Sequence, residues 1–348
     1  MKVVNFGRLG LVLGLALVGI MAATAQAVAQ EVTLRAHHFL GAVSPQHKDF
    51  LVPWAERIAK ESGGRIKIEV YPSMGLGGKP PQLFDQVKDG VVDIIWTLPG
   101  YTPGRFPRTE AFELPFVNGG SVANTLALQD YYEKYLKEEY KDVHVLLLHT
   151  HEGNLLHSKK PIRSFADFKA KTIRTPSAGG TLLLEALGAN PYHAPVPQVP
   201  QLLAKGVVDA VMIPYEVVPP LKVHENVKYH IDVTGPRMNT SVFMLVMNKN
   251  SYAKLPADLK KVIDNNSRMK LAPIAGQIWV DVEKPGLAMS KAQGNEFITL
   301  NAAETAKIRA AGEKATARWI ADVAKKGIDG AALLKDARAM IAKYSTAR

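Results

Sequence analysis

The sequence predicts an α/β protein of two lobes with mostly parallel sheets, and three observations support this. A helix–glycine–strand unit occurs twice, strands alternate with helices along the chain, and the length suits two cores rather than one. The unit reads LFDQVKDGVVDII at residues 83–95 and VPQLLAKGVVDAVMI at 199–213. In each copy apolar residues fall at helical spacing (Leu83, Phe84, Val87; then Val199, Leu202, Leu203) and a glycine follows as a helix stop. A short apolar run with the brevity of a buried strand comes next. The copies stand 116 residues apart, too sparse for a solenoid and suited to two lobes of similar build.

In chain order, residues 32–36 alternate apolar and polar, as do 66–70, and both read as strands. Residues 143–148 and 242–247 are apolar runs bounded by polar residues, the signature of buried strands. Helical patterns occupy residues 50–60, 122–140 and 180–187, and a long stretch from 257 to about 294 in which Pro273 should bend or interrupt the helix. Residues 302–344, rich in Ala, Lys and Glu, read as further helix.

The first residues stand apart from the fold. Lys2 and Arg8 form a positive segment, residues 9–20 are almost wholly apolar, and Ala27-Val28-Ala29 fits the small-x-small rule for signal peptidase, predicting a Sec-type signal cut after Ala29. That apolar stretch is shorter than the roughly 20 residues a spanning helix needs, and Arg8 has no arginine neighbour for a twin-arginine route. The expected address is the periplasm. Absence of cysteine excludes a disulfide scaffold and thiolate metal sites. Net charge is +11 for the whole chain and +9 without the signal segment, but the lysines are scattered, with no basic block interleaved with aromatics. No nucleic-acid partner is expected.

Catalytic chemistry is hard to find. In HTHEGNLLH, residues 149–157, the position four after His151 is Leu155, so the helical His-Glu-x-x-His zinc pattern fails. His149 and His151 could still share one face of a strand and meet a metal, with two hydrogen-bonded or exposed histidines as the plainer reading. No Gly-x-Ser-x-Gly elbow surrounds any serine. In GLGGKP, residues 75–80, Pro80 stands where a phosphate loop needs Ser or Thr after Lys79. No catalytic residue, metal or cofactor is expected.

KTIRTPSAGG, residues 171–180, places Arg174 in a strand that Pro176 ends, where α/β proteins bind ligands outside the carboxyl ends of strands. A guanidinium there can hold a carboxylate bidentately. From spacing alone, a surface ion pair with Asp167 or Glu185 is as good a reading.

The mature chain resembles, over essentially its whole length, the periplasmic solute-binding proteins of TRAP (tripartite ATP-independent periplasmic) transporters, a group first known from C4-dicarboxylate uptake. The resemblance rests on GGRIKIEVYPSMGLGG (63–78), KDGVVDI (88–94), FELPF (112–116), KKPIRSFADFKAKTIRTPSA (159–178), KGVVDA (205–210) and LVMNKNSYAKLPADLKKVI (245–263). It implies a two-lobed, class II-like periplasmic binding fold with a long helix across both lobes. It also implies closure on a small organic anion handed to a small and a large membrane subunit, and a carboxylate held by Arg174. The lobes are expected at residues 30–153 with about 243–283, and 154–242 with about 284–312. Residues 313–348 would pack on them as terminal helices, and the protein is expected to be a monomer.

Two departures bear on the ligand. Lys160 appears where sialic-acid binders carry a second cleft arginine, and Ile213 stands where many relatives have Asn. An apolar group at Ile213 favours an aromatic or other apolar monocarboxylate over a dicarboxylate or keto acid. Lys160 would add positive field, Ile213, Tyr215 and Trp96 an apolar wall, Phe39 and Tyr101 further ring surface, and His37 a polar contact; Asn239 completes the candidate set. The competing functions are a receptor that reports to a membrane sensor and a periplasmic enzyme using His149 and His151.

Overall fold

The computed structural model describes residues 32–345, so the export segment and its cleavage after Ala29 lie outside the described residues. Two mixed sheets carry the architecture. The first has the order β2-β1-β3-β10-β4, from β1 (Val32–His38), β2 (Ile66–Tyr71), β3 (Ile94–Thr97), β4 (Val143–Thr150) and β10 (Val242–Asn248). The second has the order β11-β9-β5-β8-β6-β7, from β5 (Leu155–Ser158), β6 (Thr172–Thr175), β7 (Asn190–His193), β8 (Ala210–Ile213), β9 (Tyr229–Val233) and β11 (Glu296–Leu300). In the first sheet only β10 runs against its neighbours, and in the second only β5 does so. Every residue of β3, β8 and β10 is buried, which explains why these strands read as continuous apolar runs rather than alternating ones.

The duplicated motif does the same work twice. Gly90 and Gly206 take φ of 75° and 68°, the left-handed values that end helices Leu83–Lys88 and Val199–Ala204. The Val-Val-Asp that follows is a turn, and the strand begins only at Ile94 or Ala210, later than the apolar pattern suggests. Each aspartate then locks this turn to the neighbouring strand. Asp93 Oδ2 accepts the Arg35 N–H at 2.8 Å, and Asp209 Oδ2 accepts the Thr172 N–H at 2.8 Å. Each carboxylate thus satisfies a strand donor that would otherwise be unpaired.

The chain crosses between sheets after β4 and again before β10, and the two crossings are tied to each other. Asn154 N–H donates to Asn239 O at 2.8 Å, and its side-chain amide reaches Asn239 Oδ1 at 3.2 Å. A third crossing is the long bent helical run 257–292, in segments Ala257–Asn265, Arg268–Asp281 and Glu283–Ala292. Its second segment packs on helix Ser121–Tyr131 and β4, its third on the turn Tyr215–Val217. Pro273 does not break it. Pro273 lies on the exposed face of the second segment, where the carbonyl four residues earlier can turn to water. The interruption falls instead at Asn266-Ser267, where the Asn266 carbonyl accepts the Trp54 indole N–H at 2.9 Å. Two terminal helices, Ala302–Ala324 and Gly330–Ser345, pack on helices Ala178–Ala186 and Ser121–Tyr131 respectively.

Glu113 sits beside the second crossing and is 1% exposed, its Oε1 accepting the Val242 N–H at 3.0 Å. Burial raises its pKa from 4.5 to about 8. Between those values the folded state holds a proton that the unfolded state has lost, so the contribution of Glu113 to stability falls as pH rises through this window. Glu113→Gln cannot ionise. It should therefore gain on wild type by up to about 1.4 kcal/mol per pH unit, read as Tm curves that diverge between pH 4.5 and 8. Parallel curves would mean that Glu113 is ionised throughout.

Candidate ligand-binding cleft

The carboxyl ends of β1, β3, β4, β6 and β8 converge where the two sheets face each other, the place where open α/β sheets bind ligands. Between them lies a narrow cavity with about 30 Å³ of water-accessible space, so the lobes must part to admit a ligand. Phe39, Trp96, Tyr101, Arg174 and Ile213 all line it. The lobes meet across its rim. Tyr101 Oη accepts the Val196 N–H at 3.0 Å, and His193 Nε2 donates to Gly100 O at 2.9 Å and Pro176 O at 3.1 Å. Gly100 is needed for this approach, because a Cβ there would stand 2.9 Å from Pro176 O.

Arg174 is 1% exposed and held by two backbone acceptors: Nε donates to Ala194 O at 2.8 Å and Nη1 to Met212 O at 3.1 Å. Nη2 is buried without a partner. No ion pair with Asp167 or Glu185 forms: Asp167 caps the Ser164 turn, and Glu185 pairs with Arg318 at 2.5 Å. Burial lowers the Arg174 pKa to about 10, opposed by the neighbouring Tyr101, so the guanidinium is charged at neutral pH. Burial likewise raises the Tyr101 hydroxyl, which keeps its proton as a donor. The result is a fixed cation in contact with a phenol, with the Nη2 amino group lacking a protein acceptor at full hydrogen-bond geometry.

The apolar wall is a stack of rings. Trp96 lies parallel to Phe243 (centroids 4.9 Å apart, planes 8° apart) and to Phe39 (5.1 Å, 21°), while Tyr101 meets Phe39 edge-on at 5.4 Å. The Trp96 indole donates to His149 Nε2 at 2.9 Å. That nitrogen is therefore occupied, and burial depresses the pKa of His149 to about 3. His151 is engaged separately, its Nδ1 accepting the Gly153 N–H at 2.9 Å. The two histidines are thus held by different partners, and among the described residues no group of three His, Asp or Glu side chains could hold a metal ion.

Four candidates from the sequence lie off the cavity. Lys160 is exposed beyond the far end of β5: that strand runs against β8, so Leu155 sits opposite Ile213 whereas Ser158 sits opposite Ala210. Tyr215 points the other way from its neighbours Pro214 and Glu216, its ring 5.4 Å from His157 and 5.6 Å from the Arg237 guanidinium. His37 anchors a loop, with Nδ1 on Gln86 Oε1 at 2.9 Å and Nε2 accepting the Leu76 N–H at 3.2 Å. Asn239 ties the crossings together, as described above.

The structure also brings in Gln46, Asn154, Ser241, Phe243 and Glu216, which the sequence did not single out, and His151, which it offered only as a metal or enzyme residue. Asn154 and Ser241 belong to the crossings, and only the pairing of the two crossings puts them at the cleft. With Nδ1 of His151 accepting, its Nε2 carries the proton and is a donor at the cavity wall. Glu216 is 1% exposed with neither carboxyl oxygen paired at full hydrogen-bond geometry. One cue was available, since Glu216 closely follows a duplicated strand whose other copy supplies Trp96.

The chain matches bacterial extracellular solute-binding protein, family 7, over residues 36–322. A marine metagenome TRAP solute-binding protein described as specific for aromatic acid ligands, solved with metahydroxyphenylacetate, is 44% identical with a TM-score of 0.89, covering 90% of this chain and 99% of that one. A TRAP solute-binding protein from Rhodoferax ferrireducens T118, in complex with copurified benzoate, is 42% identical with a TM-score of 0.89 and the same coverage. The C4-dicarboxylate-binding periplasmic protein DctP of Rhodobacter capsulatus is 25% identical over 290 residues, 82% of this chain and 86% of that protein.

Proposed function

Because the chain belongs to bacterial extracellular solute-binding protein family 7 and is a TRAP transporter periplasmic solute-binding protein, we propose that its ligand is an aromatic monocarboxylate clamped by Arg174. The observation that carries this reading is the buried, unpaired Arg174 Nη2 facing a cavity walled by Trp96, Phe39, Phe243 and Ile213. The carboxylate takes the guanidinium and the Tyr101 hydroxyl, and the ring enters the aromatic stack. A dicarboxylate would need a second cation, and Arg174 is the one lysine or arginine lining the cavity among the described residues. The aromatic-acid and benzoate complexes of the similar proteins support the same ligand class.

The receptor is exported through a signal removed after Ala29, acts as a monomer and delivers its ligand to the small and large membrane subunits. Within the described residues its rigid units are 32–153 with about 243–283, and 154–242 with about 284–312, with 313–345 packed on both. They close about the Asn154–Asn239 crossing, and closure removes water from the charge pair, strengthening it.

Thermal-shift screening of residues 30–348 against aromatic acids, keto acids, C4-dicarboxylates, sugar acids and sialic acid tests this. A ligand at 100 times its Kd stabilises by about 2.7 kcal/mol, so an aromatic monocarboxylate should give a plain shift. A shift with dicarboxylates alone would overturn the reading.

A further inference from the structure

We propose that Glu216 sets specificity within the cleft, its carboxyl hydrogen-bonding a hydroxyl group carried on the ligand's ring, away from the carboxylate that Arg174 holds. This rests on the reading of the cleft as an aromatic-carboxylate site.

Glu216 and Arg174 line the same cavity, and each is 1% exposed. The Glu283 carboxyl and the Glu216 N–H approach the Glu216 carboxyl, but neither of its oxygens is paired at full hydrogen-bond geometry, a costly state that a suitable ligand group would relieve. Glu216 is not a counter-ion for the clamp. The Arg174 guanidinium donates to Ala194 O and Met212 O, whereas the charged groups beside Glu216 are Glu283 and Arg237.

The neighbours of Glu216 decide its protonation. Glu283 has the partners: its Oε1 accepts the N–H groups of Tyr215 at 2.7 Å and Glu216 at 3.3 Å, and its Oε2 pairs with Arg237 at 2.6 Å. Glu216 has no cation of its own. Burial first, then the Glu283 carboxylate, push Glu216 well above the usual carboxylate range, so the pair carries its proton there. A neutral carboxyl does not repel an anionic ligand, and it presents both an acceptor and a donor. A ring hydroxyl matches it, whereas a methyl group of similar size leaves it unpaired.

The backbone holds this carboxyl in place. A Cβ on Gly286 would stand 2.0 Å from Tyr215 O, so helix Glu283–Ala292 lies directly on the Tyr215-Glu216 backbone. The group is therefore a fixed part of the wall, as a specificity contact requires.

Isothermal titration of benzoate, 3- and 4-hydroxybenzoate and 3- and 4-methylbenzoate into wild type, Glu216→Leu and Glu216→Gln tests the proposal. Wild type should bind at least one hydroxybenzoate about tenfold or more tightly than its methyl counterpart. Glu216→Leu should bring that ratio close to one, and Glu216→Gln, which keeps a neutral donor and acceptor, should retain most of it. A wild-type ratio near one, or a ratio unchanged in Glu216→Leu, overturns the role of Glu216. Should Glu216→Leu not fold, the wild-type ratio together with Glu216→Gln still decides. If benzoate binds and hydroxyl and methyl are not told apart, this proposal alone fails. If none of the five acids binds wild type, the aromatic-carboxylate reading fails and this proposal falls with it.

Discussion

Arg174→Ala should weaken binding of an aromatic carboxylate by about 30- to 5,000-fold, the 2–5 kcal/mol typical of truncating one partner of a buried, hydrogen-bonded charge pair. The large value follows from the setting. The guanidinium is buried, its orientation is fixed by Ala194 O and Met212 O, and Nη2 has no protein partner to compete with a ligand. Arg174→Lys keeps the charge but loses the fork, since a single ammonium cannot serve both carbonyls and a carboxylate in that geometry. It should fall between wild type and alanine. Effects on the ligand-free protein oppose one another: alanine removes a desolvated charge yet leaves two carbonyls unpaired. The readout is therefore the ligand-induced rise in Tm rather than Tm itself. A rise retained in full by Arg174→Ala would mean that the carboxylate is held elsewhere.

The fold was legible because its signals are local. Helix spacing, the two glycine stops and the apolar runs are readable within ten residues, and the second copy of the motif placed a second lobe without any long-range information. The cleft was legible only in part. Arg174, Trp96, Phe39, Tyr101 and Ile213 stand at or just beyond strand ends, and strand ends can be recognised locally. Lys160 was misplaced because its position depends on β5 running against β8, and direction in a sheet is a property of the partner strand. Tyr215 was misplaced because the facing of residues after Pro214 depends on the turn that Glu283 and Gly286 hold. Glu216 escaped notice for a related reason: an acidic residue in a sequence reads as solvated, and only burial beside Glu283 makes it a neutral hydrogen-bonding group.

Trp96→Ala should cost about 3–5 kcal/mol of stability, the usual range for truncating a buried aromatic residue to alanine. Trp96 is 1% exposed, stacks on Phe243 and Phe39, and borders Trp279 with centroids 6.3 Å apart. Removing it opens a void that joins the cleft to the core and leaves His149 Nε2 without its donor. His149 then becomes informative. Its pKa of about 3 reflects burial, so its neutral form favours folding above the unfolded value, near 6.5, and this contribution is lost as pH falls towards 3. A cavity that admits water would raise that pKa and flatten the loss. Trp96→Phe separates the two roles, since phenylalanine keeps a ring in the stack but cannot donate to His149. Denaturant titration at pH 7 should rank the proteins wild type, Trp96→Phe, Trp96→Ala. Affinity for an aromatic acid should follow the same order, because the ring that fills the core is also the ring that faces the ligand. Equal stability of Trp96→Ala and wild type would show that the stack adds nothing beyond the rest of the core. Loss of stability with full affinity retained would place the ligand's ring against Ile213 instead.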